Sequence, residues 1–488
     1  MIEKEELIKT VGQANVLDDE KTLDVYSKDE SFARPLKPRF VVKPKNVDEV
    51  QKIVQWANQT GTPLVPVSSG PPHFRGDTVP TATEAVVVDL SRMKRIISIN
   101  RRNRMAIIEP AVTYGQLQPE LAKHGMRLST SLIPRPNKSV LTSLLEREPR
   151  VTPRYQWAYL DPLRCLEIVW GDGNKFWTGS AAGGPQVLEE QWKKESWQVG
   201  GGGPAQVDYY RLASAAQGSM GIATWASVKC EVLPQIHKLF FAASQKLEDL
   251  IDFTYRLLRI RFGDELLIMN NAELACALGK GTDQIEALMK ELPPWTVIVG
   301  IAGRDIMPRE RVEFQEKDIS EIAQQFGLKL NQAVPGANGV QVLNVILNPS
   351  EAPCWKLVYK GGCQDIFFMT TLDRTPEFVK TMYSVAESAG YPCPDIGVYL
   401  QPRHQGASCH CEFSLPYNPD DAKETTRMEE LYTKASRALT NAGAYFSRPY
   451  GIWADMAYNR DAKSTIVLKK VKGIFDPNHV MNPGKLCF

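Results

Sequence analysis

Between residues 39 and 234, the pattern of apolar and polar positions predicts short β-strands that alternate with amphipathic helices. The first predicted helix begins after Asn46, whose side chain can cap it, and ends at Gly61. Apolar residues at helical spacing share one face of this helix, and a β-rich run over 63–67 follows directly. Such an alternation is typical of an α/β or α+β domain.

The second half of the chain is predicted to form another α+β domain. Helical patterns cover residues 247–261 and 283–292, and a β-rich run covers 295–300. A last helix is predicted over 461–475. The chain should therefore contain more than one core.

A long loop is predicted over residues 180–206, where glycine-rich stretches flank Trp192 and Trp197. Loops of this length inside a compact domain are often functional, so we interpret the stretch as a lid. A surface insertion is the alternative.

The chain has 488 residues, of which 43% are hydrophobic and 23% charged, so we expect a large core and at least two domains. The 58 Lys and Arg nearly balance the 56 Asp and Glu, which argues against a nucleic-acid partner. No run of about 18 apolar residues occurs, so no membrane span is predicted. The charged N-terminus lacks the pattern of a secretory signal, and we expect a cytoplasmic protein.

The nine cysteines are scattered and contain no Cys-x-x-Cys pair. Their odd number and their spacing argue against a disulfide framework. The absence of a thiolate cluster in the sequence also argues against an iron–sulfur centre within this chain. A redox role would therefore pass electrons to another molecule.

Three separated stretches combine small residues with turns. Residues 66–80 read PVSSGPPHFRGDTVP, residues 217–224 read QGSMGIAT, and residues 474–485 read IFDPNHVMNPGK. A dinucleotide needs backbone N–H groups aimed at its pyrophosphate, and small residues let the chain approach closely enough. The spacing differs from the glycine fingerprint of a Rossmann fold.

In this order and spacing, the three stretches resemble the FAD-binding flavoproteins related to vanillyl-alcohol oxidase and p-cresol methylhydroxylase. The resemblance continues through residues 134–153 and 166–179. It implies FAD as cofactor and an α+β fold, with a two-subdomain FAD-binding domain of the p-cresol methylhydroxylase type over 1–235. A substrate, or cap, domain would follow over 236–440. The segment 441–488 would return to the flavin and complete its site.

The resemblance also implies which residues contact FAD. They are Pro66, Ser68, Ser69, Gly70, Pro71, Pro72, His73, Phe74, Arg75, Gly76, Asp77, Thr78, Pro134, Asn137, Ser139, Leu144, Glu146, Arg147, Thr152, Gly218, Ser219, Gly221, Ile222, Asn482 and Lys485. Members of the family often bind FAD covalently through a histidine. Because His73 lies one residue from such a position, both covalent and non-covalent attachment stay open.

A second group of residues is predicted to act on the substrate. If residues 408–413 form a strand, His410 and Glu412 share one face of it. They could present a base and its orienting carboxylate to one pocket. Relatives that oxidise hydroxy acids carry two histidines in a comparable place, so a metal held with His404 is the alternative, although we assign no metal site. Tyr399 is a further candidate base.

Phenol-oxidising relatives hold the phenolate with a Tyr–Arg pair near the C-terminus, and that pair is missing here. The stretch 447–458 instead offers Arg448, Tyr450 and Trp453, which would form an aromatic pocket with one cation. Core packing is the alternative for Trp453. Arg403 is a second candidate anchor for a carboxylate.

Together, the resemblance and these residues imply an FAD-dependent oxidoreductase, either a dehydrogenase or an oxidase. It would transfer a hydride from an alcohol-type or benzylic carbon of a small aromatic or carboxylated substrate to flavin N5. One alternative is a 2-hydroxy-acid dehydrogenase acting on compounds such as lactate or glycolate. Others are a flavin-bearing electron-relay subunit of a larger redox complex, and a non-redox flavoprotein like the alkyl-dihydroxyacetone-phosphate synthases.

The electron acceptor would be oxygen or a separate redox partner. An iron–sulfur protein, an electron-transfer flavoprotein or a cytochrome would serve as such a partner. The sequence is also compatible with a homo-oligomer.

Overall fold

The computed structural model describes residues 2–153, 162–183, 209–350 and 353–488, together with Glu190 and Lys193. Most of the predicted loop 180–206 lies outside the described residues, as do Trp192 and Trp197.

Helices occur in both halves of the described chain. The α-helices are α1 (Ile2–Val11), α2 (Glu20–Val25), α3 (Val47–Thr60), α4 (Tyr114–Lys123), α5 (Val140–Leu145), α6 (Tyr210–Ala213), α7 (Glu248–Arg259), α8 (Asn271–Leu278), α9 (Thr282–Glu291), α10 (Pro308–Gln325), α11 (Gly339–Leu347), α12 (Thr375–Ser388), α13 (Ala422–Asn441), α14 (Ile452–Tyr458) and α15 (Ala462–Phe475). Among the described helices, none is long and apolar enough to cross a membrane.

The strands form three larger sheets and two short pairs. They are β1 (Val16–Leu17), β2 (Phe40–Val42), β3 (Leu64–Val67), β4 (Val86–Asp89), β5 (Ile96–Asn100), β6 (Met105–Ile108), β7 (Met126–Arg127), β8 (Leu163–Trp170), β9 (Lys175–Trp177), β10 (Gly221–Lys229), β11 (Glu231–Val232), β12 (Ile236–Ser244), β13 (Leu266–Asn270), β14 (Trp295–Gly303), β15 (Leu330–Asn331), β16 (Ala333–Val334), β17 (Ala337–Asn338), β18 (Gly362–Thr370), β19 (Gly397–Arg403) and β20 (Ser408–Tyr417).

The first sheet has the order β1-β2-β4-β3, with β2 and β3 parallel to β4. Helix α3 connects β2 to β3. Its cap is Asn46, whose Oδ1 accepts a hydrogen bond from the Glu49 amide at 2.9 Å, and it ends at Gly61, where φ is 68°. The predicted first helix is therefore confirmed, and β3 delivers the chain directly into the loop that begins at Ser68.

The second sheet is antiparallel, with the order β5-β6-β10-β8-β9. Helices α4 and α5 pack against it, and their apolar side chains share one buried core with those of β6, β8 and β10. Strand β10 begins at Gly221, immediately after the second of the three glycine-containing stretches. Each sheet of the N-terminal half thus adjoins a loop that was predicted to bind the cofactor. One loop follows β3, and the other precedes β10.

The third and largest sheet has the order β15-β12-β14-β13-β19-β20-β18, and its paired neighbours are antiparallel. One face packs against α7, α10, α12 and α13 in the largest core of the described chain. Part of the other face packs against α8, α9 and α11. The remainder of that face borders a cleft.

This architecture confirms the α+β fold class and the helices predicted in the second half, which are α7, α9 and α15. The domain bounds of 1–235, 236–440 and 441–488 stay predictions.

Trp453 lies in the core and not in the cleft. It is 1% exposed, it stacks on Phe446 with ring centroids 4.7 Å apart, and its Nε1 donates a hydrogen bond to Ser436 Oγ at 2.9 Å. Packing therefore explains this residue without a contact to substrate.

We predict that Trp453→Ala lowers the free energy of unfolding by about 3–5 kcal/mol, because it leaves a large cavity and an unpaired hydroxyl. Denaturant unfolding of the purified protein measures this. Tyr445→Ala is the matched control, since that side chain is 65% exposed, and we expect a change within about 0.5 kcal/mol. A stable Trp453→Ala variant that has lost turnover would contradict the core assignment.

Candidate active site

A deep cleft lies between the loop 68–78, the segment 131–149, the loop 213–223 and one face of the largest sheet. Together with the solvent at its open side it encloses about 1810 Å³. The cleft is thus bounded by both halves of the chain.

The loop 68–78 presents unpaired backbone donors to the cleft. Within the described part of the chain, no group accepts a hydrogen bond from the amides of Ser69, Phe74, Arg75 or Thr78, and all four residues line the cleft. Backbone N–H groups in folded proteins are almost always paired. A row of unpaired donors in one loop is suited to the oxygens of a pyrophosphate.

Other residues of this loop turn away from the cleft and fix its shape. The Gly70 amide donates to the Asn137 carbonyl at 2.9 Å, and the Asn137 amide group donates to the Pro71 carbonyl. Arg135 donates to the carbonyls of Gly70 and Pro72. The loop is thus held from behind by the segment that follows α4.

The C-terminal segment also holds the loop from behind. Asn482 Nδ2 donates to the carbonyls of Asp77 and Gln217 at 2.9 and 2.6 Å. Lys485 Nζ donates to the carbonyls of Gly76 and Val79 at 2.6 and 2.8 Å. Neither Asn482 nor Lys485 lines the cleft. Both position the loops that do.

Two glycines allow close packing around the loop before β10. A Cβ at Gly218, where φ is 71°, would lie 2.5 Å from Pro66 Cγ at the end of β3. A Cβ at Gly221 would lie 2.5 Å from the Val169 carbonyl oxygen of β8. A side chain at Gly218 would therefore push this loop away from β3, and one at Gly221 would push the start of β10 away from β8.

The segment 131–149 contributes two carboxyl groups that share one ammonium. Lys138 Nζ lies 2.7 Å from Glu146 and 3.4 Å from Glu148, and Ser143 donates to Glu148. Burial raises the pKa of Glu146 to about 7 against the effect of Lys138, and the Glu148 carboxylate adds to the shift. Burial opposes ionisation of Glu148 as well, but Lys138 and Ser143 hold its pKa at about 2. One carboxyl group is therefore ionised while the other titrates near neutral pH.

The largest sheet presents side chains to the cleft in rows, because alternate residues of each strand point to the same face. The first row crosses the sheet through Asp365, Ser414 and Gly397. The second crosses it through Phe367, Glu412 and Tyr399, and the third through Met369, His410 and Gln401. Asp365, Glu412 and Tyr399 line the cleft.

Lys356 reaches over the first two rows from a short turn before β18. Its Nζ lies 2.8 Å from Asp365 Oδ1 and 3.0 Å from Ser414 Oγ, and it contacts Glu412 Oε1. Arg75 approaches the other oxygen of Asp365 at 3.2 Å. Both cations are thus paired with carboxylates of the sheet.

His410 does not line the cleft, and it is 2% exposed. Burial lowers its pKa to about 4, so the ring is neutral at pH 7 and donates through Nε2 to Glu412 at 2.9 Å. Burial opposes ionisation of Glu412, but Lys356 and His410 outweigh it and hold the pKa of Glu412 well below its usual range. The predicted sharing of one face is confirmed. The role of His410 as base stays a prediction.

The remaining residues predicted to act on the substrate fall in different places. Tyr399 and Arg448 line the cleft. Tyr450 is buried behind it, with its ring 6.2 Å from that of Phe367. Arg403 and His404 lie at the far end of β19 and do not line the cleft.

Family models match the chain at both ends. An FAD binding domain matches residues 38–135, and the C-terminal domain of FAD linked oxidases matches residues 368–486. This chain belongs to the FAD-linked oxidase family. FAD is its cofactor, and it is an oxidoreductase.

Individual relatives of this FAD-linked oxidase are distant. A structure of p-cresol methylhydroxylase with substrate bound superimposes with a TM-score of 0.83 at 17% identity and covers 100% of this chain and 96% of that one. D-2-hydroxyglutarate dehydrogenase from Stutzerimonas stutzeri (strain A1501) is 22% identical over 99% of this chain and 98% of that protein. 1'-Carboxy-chondrochloren decarboxylase from Chondromyces crocatus is 34% identical over 140 residues, which are 28% of this chain and 26% of that protein.

The cleft of this FAD-linked oxidase fits the dinucleotide. Unpaired amides of the loop 68–78 suit the pyrophosphate, and Gly218 lets the loop before β10 lie close to the end of β3 beside them. Of the residues predicted to contact FAD, those that line the cleft are Pro66, Ser68, Ser69, His73, Phe74, Arg75, Asp77, Thr78, Pro134, Glu146, Gly218, Gly221 and Ile222.

The other predicted contacts support the cleft from outside. They are Gly70, Pro71, Pro72, Gly76, Asn137, Ser139, Leu144, Arg147, Thr152, Ser219, Asn482 and Lys485. Ser139, for example, caps α5 by accepting from the Thr142 amide at 3.0 Å. His73 lines the cleft, and burial together with Arg135 lowers its pKa to about 4.

Sequence reasoning did not select several charged residues that line the cleft. Lys356 and Asp365 lie in the second half of the chain, and Arg135, Lys138 and Glu148 lie inside the segment that resembles the family. A signal for Asp365 exists, because it is the one charged residue in the mostly apolar strand β18. Lys356 lies in a turn without periodicity, and its position has no such signal.

We predict that Gly218→Ala greatly lowers the FAD content of the purified protein, because the new Cβ would collide with Pro66 and adopt an unfavourable backbone angle. The ratio of flavin to protein absorbance measures this. Gly473→Ala is the matched control, since a Cβ there meets no atom within 4 Å, and helix α15 should gain about 0.5–1 kcal/mol. Normal FAD content in Gly218→Ala would contradict the assignment of this loop to the cofactor.

Proposed function

We propose that this FAD-linked oxidase takes a hydride from an alcohol-type or benzylic carbon of a small aromatic substrate that carries a carboxylate. Bound FAD would supply the hydride acceptor at flavin N5. The protein would bind the carboxylate, hold the ring and accept the proton that the alcohol loses.

Arg448 is the observation that carries the proposal. It is buried and lines the cleft, and its guanidinium carbon lies 4.1 Å from the centroid of the Phe367 ring. None of the described residues forms a hydrogen bond or ion pair with it. Burial lowers the pKa of Arg448, although Tyr450 and the carboxylates of Glu148 and Glu412 act in the opposite direction. A carboxylate is the ligand group that a guanidinium binds best.

The cleft that Arg448 lines also offers apolar surface to an aromatic ring. Trp355, Leu132, Ile133 and Tyr399 line the same cleft. An apolar lining with a few polar groups is usual for sites that orient a small molecule. Ring and carboxylate would therefore be recognised by different parts of the wall.

Glu146 is the best placed proton acceptor. It lines the cleft, and its pKa is about 7, which suits a base that works near neutral pH. The Tyr399 hydroxyl already donates to Gln401 Oε1 at 2.8 Å, and burial raises the pKa of Tyr399 well above its usual range. Glu146 thus supports the role of base better than Tyr399 or the enclosed His410.

The names of the relatives support an anionic substrate. One relative is named for 2-hydroxyglutarate and one for a carboxylated compound. The third is named for p-cresol, which is aromatic but has no carboxylate. A 2-hydroxy-acid dehydrogenase is the second candidate, because Arg448 would equally bind the carboxylate of such an acid.

We further propose a cytoplasmic location, which the nine free cysteines support. A separate redox protein would accept the electrons if oxygen does not.

We predict that Arg448→Met lowers kcat/KM for 4-(hydroxymethyl)benzoate by about 100-fold or more, because a buried charge pair with the substrate is lost. Activity with benzyl alcohol, which has no carboxylate, should change little. Anaerobic reduction of the flavin measures both, and lactate, glycolate and mandelate complete the panel. Arg437→Met, at an exposed position of α13, is the matched control.

An equal loss with both alcohols would assign Arg448 to the cofactor instead of the substrate. Faster reduction by lactate or glycolate would favour the hydroxy-acid enzyme. Reduction by no small donor would favour the electron relay.

We predict that kcat falls as pH falls through about 7, because Glu146 must be ionised to accept a proton. Glu146→Gln should lower kcat by about 10²- to 10⁴-fold above pH 7, where the base is ionised in the unmodified enzyme, and should remove this pH dependence. Stopped-flow reduction at saturating substrate measures this step. An unchanged pH profile of kcat in Glu146→Gln would exclude Glu146 as the base.

A further inference from the structure

Glu273 adds a third carboxyl group to those around Lys356. It lies in the first turn of α8 and is 1% exposed. A Cβ at Gly397 would lie 2.0 Å from Glu273 Oε2 and 3.1 Å from Ser414 Cβ. The Glu273 carboxyl group therefore fills the space that the glycine leaves in the first row of the sheet.

The position of Glu273 is unusual for an ionised carboxylate. Its Oε1 is buried and has no hydrogen-bond partner in the described part of the chain. Lys356 already contacts Asp365 and Glu412, so it has little capacity for a third carboxylate. A buried carboxyl group without its own cation favours the protonated form.

The groups that face Glu273 come from every neighbouring element. They are Lys356 from the turn before β18, Cys363 and Asp365 from β18, Tyr399 from β19, Glu412 and Ser414 from β20, and Cys276 from α8. Lys356 and Arg75 balance the charges of Asp365 and Glu412. Ionisation of Glu273 would therefore add one uncompensated negative charge to this cluster.

We propose that Glu273 is a positioning residue that controls, through the charge around Lys356, how strongly the cleft binds an anionic substrate. The ionised form adds a negative charge beside Lys356 and weakens anion binding, and the protonated acid does not. This inference rests on the anionic substrate of the proposed function. It adds a residue that touches neither the substrate nor the cofactor.

The direction of the pH effect follows from the surroundings of Glu273. Burial raises the pKa of Glu273 to about 7, in opposition to Lys356 and with help from the carboxylates of Glu412 and Asp365. Because the protonated form binds the anion better, affinity is highest below this pKa and falls as pH rises through it. Binding of an anion should in turn draw a proton onto Glu273.

Benzoate tests the proposal, since it is an aromatic carboxylate that cannot be oxidised at an alcohol. Its Kd on the holoenzyme is measured from the change in flavin absorption between about pH 6 and about pH 8. We expect Kd to rise about three- to tenfold over this range in the unmodified protein. In Glu273→Gln, Kd should stay low and nearly constant. Benzyl alcohol should bind without pH dependence in both.

Two controls separate Glu273 from other carboxyl groups. Glu291→Gln removes an exposed carboxylate at the end of α9 and should leave the pH dependence unchanged. Glu146→Gln removes the other carboxyl group with a pKa near 7. This variant should retain most of the pH dependence of the benzoate Kd. A pH dependence that disappears in Glu146→Gln and survives in Glu273→Gln would overturn the proposal.

Proton uptake gives a readout that does not depend on a folded variant. Calorimetric titration of the unmodified holoenzyme with benzoate near pH 7, in buffers of different ionisation enthalpy, should show uptake of a fraction of a proton. No uptake would refute the role of Glu273 while the anion site stands. If benzoate binds at no pH although FAD is present, the anionic substrate itself is wrong, and the inference falls with it.

Discussion

Three side chains near the C-terminus hold the two cofactor loops together, and the rest of the site depends on them. Lys472, Asn482 and Lys485 are buried, and each donates to backbone carbonyls of loops that lie at least 250 positions earlier in the chain. These bonds satisfy carbonyls of both loops, and several amides of the loop 68–78 stay free for a ligand. Binding then requires little reordering of the loops, and preorganisation of this kind strengthens affinity.

On each side of the cleft, one lysine lies among two or more carboxyl groups. Lys138 lies between Glu146 and Glu148, and Lys356 contacts Asp365 and Glu412 with Glu273 close by. One ammonium cannot compensate every carboxyl group around it in a buried place, so one of them keeps its proton to a higher pH. Glu146 and Glu273 are those groups, and both titrate near pH 7. The charge of these two carboxyl groups can therefore change near neutral pH, while Arg448 keeps its positive charge.

The fold was predictable where the decisive interactions are local. Asn46 and Gly61 mark the ends of α3 through a side-chain cap and a left-handed turn, and both depend on neighbouring residues. The cofactor was predictable because the resemblance lies in continuous stretches of sequence. Lys356 was not, because its partners Asp365 and Glu412 come from two strands, and only the register of β18 against β20 brings them together.

The alternation of side chains along a strand predicts which residues share a face. It does not predict which of those residues border the cleft. His410 and Glu412 point the same way from β20, yet Glu412 lines the cleft and His410 is enclosed one row further on. The difference depends on where Lys356, Arg75 and the loops cover the sheet, which a period of two residues does not encode. Sequence reasoning therefore placed both residues on one face and did not show which of them borders the cleft. Glu412 lines the cleft, and His410 donates to it from behind.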